Sequence, residues 1–179
     1  MALRLYDTRS RRKRIFETLV EGEVGIYVCG ITPYSPSHIG HARQAIAFDI
    51  IVRWLRKSGF LVNYITNFTD IDDKIIRIAN EENIDFLDVA NRNIDDYFEV
   101  MDLLNVNRAD SYPRVTETIP EIIDMIVKLI ENGNAYSSHD GVYFEINTAP
   151  EKYGQLTGQT LEMVREGAGG RVSETGTGK

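Results

Sequence analysis

Residues 24–68 constrain the fold more than any other part of the chain. "VGIYVCG" (Val24 to Gly30) is a short, nearly continuous apolar run ending in glycine. Such a run reads as a buried strand of the kind found in parallel sheets. Thr32, Pro33, Ser35, Pro36 and Ser37 then mark a loop. "HARQAIAFDIIVRWLRKSG" (41–59) places Ala42, Ala45, Ile46, Ile50 and Trp54 at helical spacing. Arg53, Arg56 and Lys57 load its last turns, and Gly59 suits the position just beyond a helix end. "FLVNYITNF" (60–68), β-branched and aromatic, reads as a second strand. Strand, helix and strand in succession form a βαβ unit with a right-handed crossover, so the expected class is α/β.

The chain beyond this unit reads as mostly helical. "TDIDDKIIRIANEEN" (69–83) predicts a helix with Thr69 as candidate N-cap and three aspartates at its start, where the helix dipole favours negative charge. Asp72 and Asp73 read as capping residues, while Asp70 has no assigned role. Residues 85–105 have helical apolar spacing, and so does "TIPEIIDMIVKLIENGNAY" (118–136), with Pro120 in its first turn and Gly133 at its end. "AYSSHDGVYFEI" predicts a hairpin turning at Asp140-Gly141. His139 just before that turn is expected to be exposed. "GAGGRVSETGTGK" at the end has little to bury and predicts a mobile tail. Its "GTGK" lacks the glycine spacing and following hydroxyl of a phosphate loop.

Composition narrows the function classes. A chain of 179 residues with 42% hydrophobic content can build one domain plus an insertion. Its net charge of −7 argues against broad nonspecific nucleic-acid binding, though a local basic face is compatible with it. "RSRRKR" (Arg9 to Arg14) could serve as a nucleic-acid patch or a nuclear address. Its flanks, "LRLYD" and "IFETL", favour a solvated hairpin turn. One cysteine cannot form an internal disulfide, and no segment has the apolar length of a membrane span. Both point to a reducing, cytoplasmic setting.

The rarest reactive side chains crowd together. Cys29 directly precedes "GITPYSPSHIGHAR", which holds His38 and His41, two of the three histidines. The stretch lies between a strand end and a helix start, where open α/β sheets bind ligands. Helix N-termini offer unpaired N–H groups and partial positive charge, which suit phosphate. Two imidazoles at i, i+3 can point the same way and donate hydrogen bonds to phosphoryl oxygens. Gly40 between them lets a flat ring approach the backbone.

These residues carry a resemblance. "HIGH" after a first strand is similar to the signature of class I aminoacyl-tRNA synthetases. "YVCGITPYSPSHIGHAR", with "NFTDIDDKII", "ADSYPRVTETIPEII", "DGVYFEI" and "YGQLTGQ", resembles the cysteine–tRNA ligases from about Leu3 to Arg171. The resemblance implies a Rossmann-like nucleotide-binding domain, present as its first half (1–113), with part of a connecting insertion (114–179). It implies that His38 and His41 contact ATP, taken with Mg2+, and stabilise charge on the α-phosphate. It further implies that Gly40 makes room for adenine, that Gly30, Thr32 and Thr69 line the amino-acid site, and that Cys29 is a zinc ligand. Zinc would bind the substrate cysteine's thiolate, which discriminates against serine because a hydroxyl is a poorer ligand. The implied partners are ATP, L-cysteine and tRNA(Cys).

The family's other zinc ligands and its second, lysine-containing ATP loop have no counterpart here. The resemblance therefore implies an N-terminal piece, inactive in adenylation alone and prone to self-association through an incomplete sheet. Two other readings remain. "GITPY" also resembles the cysteine ligases of mycothiol synthesis, whereas "TDIDDKII" and "YGQLTGQ" lean toward the tRNA enzymes. A non-catalytic truncated paralogue, binding nucleotide or a partner chain, is the third.

Overall fold

A computed structural model describes residues 3–158 and Met163; the tail expected to be mobile, 167–179, lies outside the described residues. Two compact units are present. Thr18–Glu121 form the larger, and described residues before and after that span form the other.

The larger unit is built on two parallel strands, β3 (Glu23–Ile31) and β4 (Leu61–Phe68), joined through helix α1 (Ile39–Lys57). Val24 to Val28 pair in unbroken register with Val62 to Thr66, and the register then shifts before Ile31 pairs with Phe68. Irregularities of this kind kink a strand and re-aim its side chains; this one falls on Cys29 and Gly30. β4 also makes parallel bridges on its other side, Ile65 to Ser111 and Phe68 to Arg114. β4 is thus central, and β3 is an edge among the described residues. The nearly continuous burial expected of β3 is not observed. Val24, Val28 and Ile31 are buried, but Glu23, Gly25, Tyr27 and Cys29 are exposed. Only one face of the strand is covered, so its apolar run does not mean two-sided burial.

Helix α1 starts two residues earlier than its apolar spacing suggests, because His38 is its N-cap (φ −130°, ψ 172°). Ser58 caps its other end, and Gly59 follows at φ +93°, a conformation that favours glycine. Its buried face, Ala42, Ala45, Asp49, Val52 and Leu55, repeats every three to four residues and packs toward β4 and α3 (Phe86–Leu103). Asp49 is buried but matched: it accepts from Arg53 Nε at 2.8 Å and from the Asn107 N–H at 3.3 Å.

Thr69 is not the cap of the next helix. Helix α2 runs Asp73–Glu82, and Asp72 caps it by accepting the Lys74 N–H at 2.9 Å. Thr69 instead continues the end of β4, its N–H donating to the Ile31 carbonyl at 3.0 Å. Asp72 out-competes it because its carboxylate reaches the free N–H groups of the first turn. Asp70 is fully buried and accepts both the Thr116 N–H (3.0 Å) and the Thr116 hydroxyl (2.6 Å). Helices α2 and α3 pack together through Ile75, Ala79, Val89 and Ala90. Phe68 stacks on Tyr112 with centroids 5.3 Å apart and meets Tyr97 and Phe98 edge-on.

The second unit opens with a hairpin, β1 (Arg4–Asp7) antiparallel to β2 (Arg12–Ile15). The basic run is a turn only as far as Arg11; Arg12 to Arg14 lie on the second strand. Asp7 holds the turn by accepting the Arg9 and Ser10 N–H groups at 3.2 and 3.1 Å. Helix α4 (Ile119–Glu131), whose first turn belongs to the larger unit, is followed by Gly133 at φ +72°. β5 (Ala135–Ser137) and β6 (Val142–Phe144) form the expected hairpin around Ser138–Gly141, and the His139 side chain is 79% exposed.

Candidate nucleotide and amino-acid site

The site is assembled where β3 ends and α1 begins. His38 and His41 cap the helix reciprocally. The Gly40 N–H donates to His38 Nδ1 at 3.0 Å, and the His38 N–H donates to His41 Nδ1 at 3.4 Å. This is a capping box in which imidazoles replace the usual hydroxyl and carboxamide. The rings stack with centroids 3.8 Å apart and planes 23° from parallel. A nitrogen that accepts a hydrogen bond carries no proton, so both neutral rings are held as Nε2–H tautomers. Their remaining donors are the two Nε2–H groups.

Burial, and next the neighbouring His38 ring, hold His41 below the ordinary imidazole range, with Asp96 opposing them. Neutral His41 therefore dominates near pH 7. Asp96 also accepts the Ser37 N–H at 2.7 Å, anchoring the loop before the cap to α3. Gly40 is explained locally. A Cβ there would come within 2.8–2.9 Å of the His38 ring, so the flat ring that lies against this glycine is the cap's own.

Cys29, Gly30 and His41 line one narrow cleft with Gln44, Thr66 and Tyr97, its free volume of about 10 Å3 enough for a single water. Cys29 is exposed, so it does not serve as a buried hydrophobe. Its carbonyl accepts from Gln44 Nε2 at 2.8 Å, tying the strand end to the second turn of α1. Burial raises the Tyr97 phenol far above its usual range, so that hydroxyl stays protonated.

Gly30 and Thr69 are joined through a residue the sequence reading passed over. Asn67 Oδ1 accepts the Gly30 N–H at 2.8 Å, and Asn67 Nδ2 donates to Thr69 Oγ1 at 3.4 Å. A Cβ on Gly30 would sit 1.5 Å from the Asn67 carbonyl oxygen, so no side chain fits. Thr32 is half-buried just past the strand, its carbonyl accepting the Tyr34 N–H at 2.9 Å; it does not line the cleft. Asn67 lies inside the quoted stretch "NFTDIDDKII", and that position was its only signal. Gln44 and Asp96 are ordinary polar residues of helices and carried none.

Residues 15–179 match the family described as tRNA synthetases class I (C) catalytic domain. The chain belongs to this family. The cysteine–tRNA ligase of Idiomarina loihiensis is 50% identical over 169 residues, covering 94% of this chain and 37% of that protein. That of Thermococcus onnurineus is 50% identical over 179 residues, all of this chain and 37% of the relative. The chain thus spans about a third of the length of these curated relatives. The Mycobacterium tuberculosis methionyl-tRNA synthetase in complex with methionyl-adenylate shares its fold, with a TM-score of 0.57 at 24% identity over 63% of this chain and 23% of that one.

Zinc, implied by the resemblance, can be tested against the donors present. Among the described residues no three His, Cys, Asp or Glu side chains group closely enough to hold a metal ion. Cys29 supplies one donor where tetrahedral zinc takes about four. The described residues of this class I (C) domain do not by themselves fit a zinc site. No helix among them is long and apolar enough to cross a membrane.

Proposed function

We propose that this domain serves the ATP-dependent activation of L-cysteine to cysteinyl-adenylate and its transfer to tRNA(Cys). The observation that carries the reading is the stacked imidazole pair capping α1, with both Nδ1 atoms committed to backbone N–H groups. In the proposed step a carboxylate oxygen of cysteine attacks the α-phosphorus of ATP, and the bond to pyrophosphate breaks. Negative charge builds on the α-phosphoryl oxygens. Two preset Nε2–H donors and the helix N-terminus would stabilise it without reorganising. His38 and His41 are the proposed catalytic groups, and Gly40 preserves the cap.

Gly30, Thr32 and Thr69 are proposed around the amino acid. The Gly30 N–H is already taken by Asn67, so its contribution is backbone shape. Thr69 Oγ1, accepting from Asn67, keeps its own hydrogen to donate. Cys29 is proposed as one zinc donor only, with the rest of the set expected outside the described residues; no step is routed through the metal. The cytoplasm is the proposed compartment.

The test has two parts. Isothermal calorimetry with ATP and Mg2+ should show binding that is lost in His38→Ala/His41→Ala. Cysteine-dependent pyrophosphate–ATP exchange should be absent from the 179-residue chain. Unchanged ATP binding in the double variant would remove the imidazoles' role; robust exchange would show the chain to be sufficient by itself.

A further inference from the structure

The β1–β2 hairpin concentrates charge that nothing in the site uses. Between Arg4 and Arg14 six cations stand against Asp7 alone, a net of +5 in a chain whose total is −7, which leaves −12 for all the other residues. The turn itself is held by Asp7, which also lies 3.7 Å from Arg14, and Arg11 donates to the Thr157 carbonyl at 3.4 Å. The other four cations, Arg4, Arg9, Arg12 and Lys13, are exposed and make no ion pair among the described residues. Exposed, unpaired like charges on a short ribbon repel one another, so a solvated turn alone gives no reason to collect them. Tyr6, 61% exposed, pairs directly across the ribbon with Lys13. Five of the six cations are arginines, whose planar forks match phosphate oxygens. Cations beside an exposed ring make up the usual chemistry for holding a nucleic-acid backbone and stacking a base.

We infer that the β1–β2 hairpin is a docking ribbon for the sugar–phosphate backbone of RNA, contacted by Arg4, Arg9, Arg12 and Lys13 with Tyr6 as a stacking platform. The choice of RNA over other polyanions rests on the proposed function. The acidic remainder of the chain confines binding to this ribbon and makes it depend on counterion release.

The test is fluorescence anisotropy of a labelled tRNA transcript with the 179-residue chain across 50–200 mM KCl. About four phosphate contacts give a log–log salt slope of roughly −3 and a loss of about sixtyfold in affinity over that range. Arg9→Gln/Arg12→Gln/Lys13→Gln should weaken binding at least tenfold at 50 mM and bring the slope to about −1. Salt-independent binding by the parent chain overturns the inference, whatever the variant's folding. So does equal affinity in a variant whose circular dichroism is unchanged, or tighter binding to phosphatidylserine vesicles than to RNA. ATP calorimetry on the same samples separates the two readings. ATP binding without RNA binding sinks the hairpin alone, and RNA binding without ATP binding supports the hairpin while striking the adenylation reading.

Discussion

His38 combines two tasks that substitution can separate. Its Nδ1 caps α1, and its Nε2–H is the proposed phosphate donor. His38→Ala should cost about 1 kcal/mol of stability through the lost cap, read from urea unfolding. His38→Asn keeps a capping oxygen, so it should unfold like the parent while losing ATP affinity in calorimetry. His41 provides a pH test. Burial and the His38 ring lower its pKa from 6.5, so the unfolded chain takes up a proton before the folded one does. Its contribution to stability is full above about pH 6.5 and is lost as pH falls toward and below the folded value. Thermal unfolding from pH 7.5 to 5.5 should therefore fall more steeply in the parent than in His41→Gln; parallel curves would contradict this. Gly30→Ala has no room, with a Cβ 1.5 Å from the Asn67 oxygen, and should cost about 1–3 kcal/mol or more by denaturant titration.

At the level of elements, the strand–helix–strand core was readable because its signals were local: β-branched runs, a helical apolar period and glycine at the helix end. The details that failed depend on partners distant in sequence. Asp72 reads as a capping residue, but nothing between residues 69 and 73 ranks it above the candidate Thr69. The choice follows from Thr69 being held to Ile31 and Asp70 to Thr116, contacts 38 and 46 positions away. Nor does "VGIYVCG" state how many of its faces are covered. In the site, the two histidines and the cysteine were legible as rare residues between a strand and a helix. Asn67, Gln44 and Asp96 were not, because their roles exist only once two elements meet. Asp70 provides the matching experiment. Asp70→Asn presents one acceptor where Thr116 offers two donors, so the loop after β4 should loosen. The expected cost is about 1.5–3 kcal/mol, with faster amide exchange at Thr116; an unchanged exchange rate would show the contact to be dispensable.

For the whole molecule, the unpaired edge of β3 and the exposed Ile50 and Trp54 of α1 leave apolar surface and open backbone groups among the described residues. The 179-residue chain is expected to self-associate, with sedimentation velocity showing species heavier than 20.3 kDa that increase with concentration; a single sharp monomer boundary would refute it. The two units also differ in how their parts are spread along the chain. Residues 18–121 are contiguous, but the first hairpin belongs with residues made more than a hundred positions later, as the bond from Arg11 to Thr157 illustrates. On a ribosome adding about 5–20 residues per second, that bond waits roughly 7–30 s for its acceptor to be synthesised. During that interval the nascent chain presents its arginines before most of its acidic residues exist, so the first polyanion it can meet is the ribosome that is making it.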